Sequence, residues 1–279
     1  MSHFIFNGRV YEQSAPVIGC ANRGLRYGDG LFETMKMLDG SIIQQQEHFE
    51  RLWKGMDVLQ FEKPGLFTKG HLISAIKKLA QKNQHEKAAR IRLNIFRGDG
   101  GLYDAVNNIP NYIIETWHLQ ENSGQWNSNG LVVGIYEDVK KSCDILSNIK
   151  HNNYLPYVLA ALKAKKEKWN DAIIINQFGR IADSTIANIF LIKDEKIITP
   201  ALTEGCVAGI MRKSLINHLN QYNFKCYESE VEVDDILKAD EVFFTNSIYN
   251  IRWVQRIGDA VYRNIFTQKI YASFLPTIC

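Results

Sequence analysis

The sequence predicts an α/β protein of the α+β kind that folds as two domains. The pairs Asn7-Gly8 and Asp39-Gly40 each separate two short β-prone segments, which is typical of hairpins. Other segments carry apolar residues every three to four positions, as amphipathic helices do. The segment 121–130, ENSGQWNSNG, is polar and rich in small residues, and we interpret it as a linker. We therefore expect a small N-terminal domain over residues 1–120 and a larger C-terminal domain over 131–279.

The composition of the chain excludes several classes of protein. Its 46% hydrophobic and 23% charged residues are ordinary for a soluble globular protein, and 279 residues are enough for a substantial core. A net charge of +3 is too small to predict nucleic-acid binding. The sequence has neither an apolar run of membrane-spanning length nor an export-signal pattern. Its five cysteines lack CxxC spacing, so we expect no metal site, no disulfide framework and a cytoplasmic location.

In the first domain the apolar pattern predicts two helices packed on a sheet. The helices are expected at 47–59 and 68–82, and the strands at 31–38, 89–96 and 111–117.

The segment 147–190 organises the second domain. It contains a predicted helix whose inward stripe consists of four apolar residues at i, i+3, i+4 and i+7: Leu155, Val158, Leu159 and Leu162. Lys150 comes directly before this helix, and a strand–turn–strand unit after it carries the carboxylate of Asp183. A Schiff-base enzyme needs such a lysine together with an acid on the far side of a cofactor ring. By spacing alone, however, a lysine before a helix is more often a solvated flank.

Two segments of the second domain have donors suited to an anion. Gly209 precedes a predicted helix, where the amides of Ile210 and Met211 lie at the positive end of the helix dipole. Asn246 and Ser247 follow the end of a predicted strand and carry amide and hydroxyl donors. Each segment alone is a weak signal, because most helix starts bind only water or their own caps.

Arg51 has two interpretations. It lies off the apolar stripe of the helix at 47–59, which favours a solvated surface cation. Combined with the two donor segments, its planar fork would complete a phosphate site.

The chain resembles the class IV aminotransferase family, the fold-type IV pyridoxal-phosphate enzymes. Seven segments in matching order carry the resemblance: RGLRYGDGLFET (23–34), HFERL (48–52), RGDGG (97–101), IKHNNYL (149–155), GRIADSTIANIFLIKDEKIITP (179–200), GCVAGIMR (205–212) and ADEVFFTNS (239–247). The family includes D-amino acid aminotransferases, branched-chain aminotransferases and aminodeoxychorismate lyases. The resemblance implies a small α/β domain, a larger pseudo-barrel β domain with helices, a pyridoxal 5′-phosphate cofactor and a homodimer.

The resemblance also implies roles for individual residues. Lys150 matches the Schiff-base lysine, which also moves the substrate proton. Arg51, in the H-x-x-R-L motif, matches the phosphate-binding arginine, which reverses the interpretation of this residue as a surface cation. Ile210 and Met211 match the amides that bind phosphate, and Ser247 matches a hydroxyl that completes the same site.

Two departures from the family pattern bear on activity. Asp183 stands where the family usually has the glutamate that pairs with the pyridine nitrogen, and contact from the shorter side chain needs a shifted strand, a tilted ring or a bridging water. Leu102 stands where related lyases and D-amino acid enzymes have a substrate-binding arginine. Arg97, or Arg90 or Arg92 on the preceding strand, would then bind the substrate carboxylate, or the substrate offers a different group. Arg97 is equally consistent with a structural ion pair.

Smaller features indicate the substrate class. Lys150 and Asn153 are three positions apart, which resembles the lyases and D-amino acid enzymes. Phe32 stands in place of a substrate-side tyrosine and, like the loop 97–101, resembles the lyases. The leading interpretation is therefore a class IV enzyme that transfers an amino group or eliminates pyruvate from aminodeoxychorismate. The alternative is a catalytically decayed relative that binds the cofactor or a partner without turnover.

Overall fold

The computed structural model describes the chain in three ranges: residues 2–120, 122–222 and 224–278. Its contacts divide the chain into two compact units. Unit 1 contains the residues up to Ser123 and the short segment Ile149–Asn153, and unit 2 contains Gly124–Asn148 and the residues from Tyr154 onward. The segment that carries Lys150 thus groups with unit 1, whereas the sequence pattern assigns it to the second domain.

In the described residues, unit 1 forms one antiparallel sheet of six strands in the order β2-β1-β6-β5-β3-β4, with three helices. Its elements are β1 (His3–Phe6), β2 (Arg9–Glu12), α1 (Arg23–Tyr27), β3 (Gly30–Leu38), β4 (Ser41–Ile42), α2 (Gln45–Val58), α3 (Lys69–Lys82), β5 (Ala88–Arg97) and β6 (Pro110–His118). The predicted helices at 47–59 and 68–82 are confirmed as α2 and α3.

Local chemistry explains the turns and the helix packing of unit 1. Both residues of Asn7-Gly8 have positive φ, 46° and 83°, and so do those of Asp39-Gly40, at 45° and 75°. These signs identify type I′ hairpin turns, as the sequence predicted. α3 begins after Thr68, whose hydroxyl accepts a hydrogen bond from the amide of His71. Both α2 and α3 bury their apolar faces in one core with the sheet.

In the described residues, unit 2 forms a nine-stranded sheet in the order β12-β11-β10-β13-β14-β7-β8-β9, with β15 paired to β14. Its elements are β7 (Leu131–Lys141), α4 (Leu155–Glu167), β8 (Asp171–Asn176), β9 (Ile181–Ser184), β10 (Asn188–Lys193), β11 (Lys196–Pro200), α5 (Ile210–Gln221), β12 (Cys226–Ser229), α6 (Val233–Leu237), β13 (Glu241–Asn246), β14 (Asn250–Ile257), β15 (Ala260–Val261) and α7 (Ile265–Phe274). β7 pairs in parallel with both β8 and β14. The expectation of a mixed α and β architecture is confirmed.

The predicted orientation of α4 is wrong. Its four large apolar residues are exposed, with Leu155 at 71% and Leu162 at 58%. The helix instead buries Tyr157, Ala160 and Ala164 against β7 and β8. Small side chains let the helix backbone approach the sheet closely, and the tyrosine hydroxyl finds polar partners below it. Side-chain size and hydrogen bonding, rather than apolar periodicity, therefore decided which face is buried.

Among the described helices, no segment combines the length and the apolar character needed to span a membrane.

Candidate active site

Lys150 lies on a segment that pairs with the beginning of β3. The amide of Phe32 donates to the carbonyl of Lys150 at 2.8 Å, and the amide of Asn152 donates to the carbonyl of Gly30 at 2.9 Å. A Cβ on Gly30 would lie 2.3 Å from the carbonyl oxygen of Ile95, so only glycine fits beside β5 at this point. These contacts fix the backbone of the lysine within unit 1.

The ring of Phe32 contacts two cations. The Nζ of Lys150 lies 4.6 Å from the ring centroid, and the guanidinium carbon of Arg92 lies 3.9 Å from it. In the β3–β5 register Asn94 is opposite Phe32, which makes Arg92 a diagonal neighbour of Phe32. The buried Oδ1 of Asn94 accepts no hydrogen bond from the described residues. The predicted lysine and Phe32 are thus together, beside an arginine and an amide.

Arg51 is held by a buried acid rather than standing on the surface. Its Nε and Nη2 donate to the two carboxylate oxygens of Glu33 at 2.8 and 2.6 Å, and Nδ1 of His48 lies 2.7 Å from Oε2 of the same residue. Burial of Glu33 favours its neutral form, but Arg51 and His48 outweigh this effect and lower the pKa of Glu33 to about 2. The bidentate pair fixes the plane of the guanidinium.

Arg97 has the contacts of a structural residue. Its Nε donates to Asp29 at 3.1 Å, Nη1 to the side chain of Asn108 at 2.6 Å and Nη2 to the carbonyl of Leu59 at 2.6 Å. The guanidinium also lies 4.6 Å from the ring centroid of Phe61. Its three nitrogens each have a hydrogen-bond partner, as the ion-pair interpretation predicts, and the role in substrate binding stays a prediction.

The other positions considered for a carboxylate-binding residue differ in their exposure and contacts. Leu102, where related enzymes have an arginine, is 59% exposed. Arg90 is exposed and lies over the ring of Trp117. Of the three arginines considered, Arg92 alone contacts the ring that Lys150 contacts.

Asp183 lies buried in unit 2, with its two oxygens in different environments. Oδ2 accepts hydrogen bonds from Nζ of Lys141 at 2.9 Å, the hydroxyl of Tyr157 at 3.0 Å and the amide of Val207 at 3.0 Å. Lys141 also donates to the tyrosine hydroxyl. Oδ1 is buried and accepts no hydrogen bond from the described residues. An unused buried acceptor is costly unless a ligand supplies its donor, and a protonated ring nitrogen is such a donor.

A second buried acid fixes the turn that follows Asp183. Asp171 accepts hydrogen bonds from the hydroxyls of Ser184 at 2.8 Å and Thr185 at 2.5 Å, and from the amide of Ala172 at 2.7 Å. Burial raises the pKa of Asp171 although these hydrogen bonds oppose the effect. The end of β9 is therefore held in place one residue after Asp183.

Gly209 caps α5 where a side chain has no room. A Cβ at this position would lie 1.9 Å from the side-chain oxygen of Asn188, whose amide donates to the carbonyl of Val207 at 2.8 Å. The next amides, of Ile210 and Met211, belong to the first turn of a twelve-residue helix and have no acceptor within it. Such amides and the helix dipole suit a phosphate.

The second donor segment is adjacent to the first. Asn188 pairs with Thr245 across β10 and β13, and Asn246 and Ser247 follow directly. Oδ1 of Asn246 accepts hydrogen bonds from the amides of residues 248 and 249, so this oxygen stabilises the turn that follows β13. The buried hydroxyl of Thr245 has no hydrogen-bond partner in the described part of the chain. The start of α5 and the turn after β13 thus both border the paired residues Asn188 and Thr245 in unit 2.

Sequence reasoning missed Lys141, Tyr157 and Asn188. Lys141 ends β7 at a buried position, and a lysine at the inward end of an apolar strand is a signal that was available. Tyr157 lies on the face of α4 that the pattern predicted to be solvent-exposed. The described residues contain no cluster of three or more His, Cys, Asp or Glu suited to a metal ion.

Known proteins are similar to this chain in sequence and in fold. The model of the family described as amino-transferase class IV matches residues 30–257. The aminodeoxychorismate lyase of Vibrio harveyi is 30% identical over 240 residues, covering 85% of this chain and 86% of that protein. The D-alanine aminotransferase of Bacillus licheniformis is 27% identical over 257 residues, covering 87% and 84%. The branched-chain amino acid aminotransferase of Escherichia coli superposes with a TM-score of 0.88 at 21% identity, covering 99% of this chain and 94% of that one.

Proposed function

This chain belongs to the class IV aminotransferase family, and on that premise we propose that it uses pyridoxal 5′-phosphate to act on an amino acid or on aminodeoxychorismate. The single observation that carries the proposal is the orphan Oδ1 of Asp183, a buried acceptor that fits the ring nitrogen of the cofactor. When bound, this cofactor supplies an electron sink for negative charge developing at the substrate Cα.

Lys150 is the proposed catalytic residue. Its Nζ would bind the cofactor covalently. Once the substrate amine has displaced it, the free amine would take the proton from the substrate Cα and, in amino transfer, pass that proton to the cofactor. The apolar ring of Phe32 at 4.6 Å limits the access of water to this amine. The pairing of Lys150 with β3 holds the amine in one position, which a proton transfer requires.

The family resemblance assigns three groups of ligands to the cofactor phosphate. The first two are the amides of Ile210 and Met211, which follow the side-chain-free Gly209, and the segment of Asn246 and Ser247. The third is Arg51, whose guanidinium is already oriented by the bidentate contact with Glu33. An anion bound by these groups would gain charge-assisted hydrogen bonds from donors that need little reordering.

We propose Arg92 as the residue that binds a substrate carboxylate. The guanidinium of Arg92 and the amine of Lys150 both contact the ring of Phe32, and Arg97 binds Asp29, Asn108 and Leu59. Aminodeoxychorismate is the preferred substrate, since the 30% identical relative is named for that lyase activity. Amino transfer is the second candidate, supported by the D-alanine aminotransferase relative.

We further propose that the protein is a homodimer. The exposed apolar stripe on α4 supports this, because contiguous apolar surface on one helix face favours association with a second copy: Leu155, Val158, Leu159 and Leu162. A Leu155→Lys/Leu162→Lys variant should halve the mass measured by light scattering, whereas Lys77→Glu, at an exposed position of α3, should not. A dimer that survives the double substitution would exclude this interface.

A cytoplasmic location is proposed from the state of the cysteines. The described cysteines at positions 20, 143, 206 and 226 are all free thiols, as expected in a reducing compartment.

The deciding experiment is the visible absorption spectrum of the purified protein with added cofactor. Aminodeoxychorismate, D-alanine and L-glutamate are then added in separate samples. Colour that persists while pyruvate is released from aminodeoxychorismate identifies the lyase. Colour that bleaches with an amino acid and returns with a keto acid identifies the aminotransferase. A protein that binds the cofactor but turns over none of them would support the decayed relative, and a protein that binds no cofactor would refute the proposal.

A further inference from the structure

Three donors converge on one oxygen of Asp183, and one of them is a buried ammonium. The side chains of Lys141 and Asp183 are 7% and 3% exposed, and their ion pair is 2.9 Å long. Tyr157 donates to the same oxygen and accepts from the same ammonium, which closes a three-membered ring of hydrogen bonds. All of these groups belong to unit 2.

We propose that Lys141 is a positioning residue that holds Asp183 with Oδ1 available to the cofactor, and that its ammonium makes the bound ring nitrogen release its proton more readily. This inference rests on the proposed function. It concerns how strongly the site draws electrons from the substrate, which the family resemblance does not specify for this chain.

The first half of the proposal follows from burial. A carboxylate in an apolar environment tends to take up a proton unless an opposite charge or hydrogen bonds stabilise its ionised form. Here an ammonium and two neutral donors all bind Oδ2. Because they occupy the same oxygen, the carboxylate is held in one orientation and the other oxygen stays available.

The second half follows from the charges around the acid. The pair of Lys141 and Asp183 has no net charge, so a protonated ring nitrogen meets a neutral pair with a cation close by, rather than a lone anion. A nearby like charge disfavours the protonated form of a ring nitrogen. The strength of the electron sink depends on that proton, so Lys141 would limit it.

Two titratable groups beside Asp183, Tyr157 and Cys206, have a raised pKa and are neutral near pH 7. Burial and the adjacent carboxylate raise the pKa of Tyr157 well above its ordinary value, and Tyr154 stacks on its ring with centroids 4.1 Å apart. From the loop before α5, Cys206 faces the same region, and burial raises the pKa of its thiol to about 11. β8 contributes Ile174 opposite Asp183. Among the described residues, Lys141 is the cation that hydrogen-bonds to Asp183, whereas the buried Arg212 interacts with the thiol of Cys206.

The test follows the ring nitrogen directly. Cofactor labelled with ¹⁵N at the ring nitrogen is bound to the wild type and to Lys141→Gln, and the ¹⁵N chemical shift is followed against pH. Glutamine keeps an N–H donor but removes the charge, so the pH midpoint for loss of the ring-nitrogen proton should rise by about 1 to 3 units. Lys141→Arg, which keeps the charge, should restore the wild-type midpoint. Lys140→Gln, at an exposed position on the same strand, is the matched control and should leave it unchanged.

Several results would overturn the inference. An unchanged midpoint in Lys141→Gln would do so, and so would a wild-type ring nitrogen that stays protonated to the alkaline limit of the folded protein. If Lys141→Gln does not fold, Asp183→Asn is compared with Lys141→Gln/Asp183→Asn, in which no buried carboxylate lacks a partner. The midpoint should again be higher without the ammonium, and equality contradicts the inference. Failure of the wild type to bind the labelled cofactor would instead refute the proposed function.

Discussion

The side-chain oxygen of Asn188 occupies the space that a Cβ on Gly209 would need, at 1.9 Å from its ideal position. Asn188 also ties the carbonyl of Val207 to β10, so the loop before α5 and the sheet beneath it form one packed unit. The amides at the start of α5 therefore keep their direction through a contact that tolerates no side chain at residue 209.

Gly209→Ala should weaken cofactor binding. The added methyl must displace Asn188 or the start of α5, and overpacking of this kind costs about 1–3 kcal/mol, which corresponds to roughly tenfold or more in the dissociation constant. Fluorescence titration with pyridoxal phosphate measures the effect. Gly65→Ala is the matched control because nothing lies within 4 Å of its Cβ position. Asn188→Ala should partly rescue Gly209→Ala, and a Gly209→Ala variant with wild-type affinity would contradict the packing argument.

Glu33→Gln should make the free energy of unfolding depend less on pH in the acid range. The pKa of Glu33 is lowered from 4.5 to about 2. A carboxyl group whose pKa is lower in the folded than in the unfolded protein stabilises the fold fully above its unfolded-state pKa. This stabilisation is lost as the pH falls through the pKa of the folded state. The expected loss between about pH 4.5 and pH 2 is about 3 kcal/mol. Urea unfolding at several pH values measures it for both proteins. An equally steep decline in the Gln variant would show that another group is responsible.

Arg92→Gln and Arg97→Gln should have different effects. If Arg92 binds the substrate carboxylate, its loss removes a charged hydrogen bond of about 1.5–3 kcal/mol and raises KM by roughly tenfold or more. Arg97→Gln should lower the melting temperature with little change in KM, because its nitrogens bind Asp29, Asn108 and Leu59. Steady-state kinetics and calorimetry on both variants decide between them. If KM rises in Arg97→Gln and the melting temperature falls in Arg92→Gln, Arg97 would be the residue that binds the substrate carboxylate.

Lys150→Ala should abolish both the visible band of the bound cofactor and turnover. No other described residue is proposed to bind the cofactor covalently or to take the Cα proton. Absorption spectra and product assays check this, with Lys166→Ala as a control at an exposed position of α4. Full activity in Lys150→Ala would remove this lysine from the mechanism.

Asp183→Ala should retain the visible band and lose turnover. The covalent attachment depends on Lys150, whereas the strength of the electron sink depends on the partner of the ring nitrogen. Spectra and single-turnover rates separate the two effects. A wild-type rate in this variant would assign the partner of the ring nitrogen to a different residue.

The sequence predicts local features well because they depend on neighbouring residues. The hairpin at Asn7-Gly8 and the helices α2 and α3 follow from positive φ, apolar spacing and an N-cap within one segment. Lys150 and Asp183 were found through motif order, which carries more information than spacing alone.

Long-range contacts could not be predicted from these patterns. Whether Arg97 binds substrate or supports its loop depends on Asp29, 68 positions away, and on Leu59, 38 positions away. The inward face of α4 was missed for a related reason. The spacing of its large apolar residues predicted that they face inward. The helix instead packs on its alanines and on Tyr157, whose hydroxyl donates a hydrogen bond to Asp183, 26 positions later.

The membership of Ile149–Asn153 in unit 1 has a consequence for how the chain is made. This segment supplies backbone partners to Phe32 and Gly30, yet a ribosome produces it only after residues 124–148, which belong to unit 2. A nascent chain that ends at Ser123 therefore has an unpaired edge at the start of β3, and unit 1 can finish folding only once residue 153 has emerged. Cutting the gene after residue 123 should accordingly yield an aggregation-prone fragment.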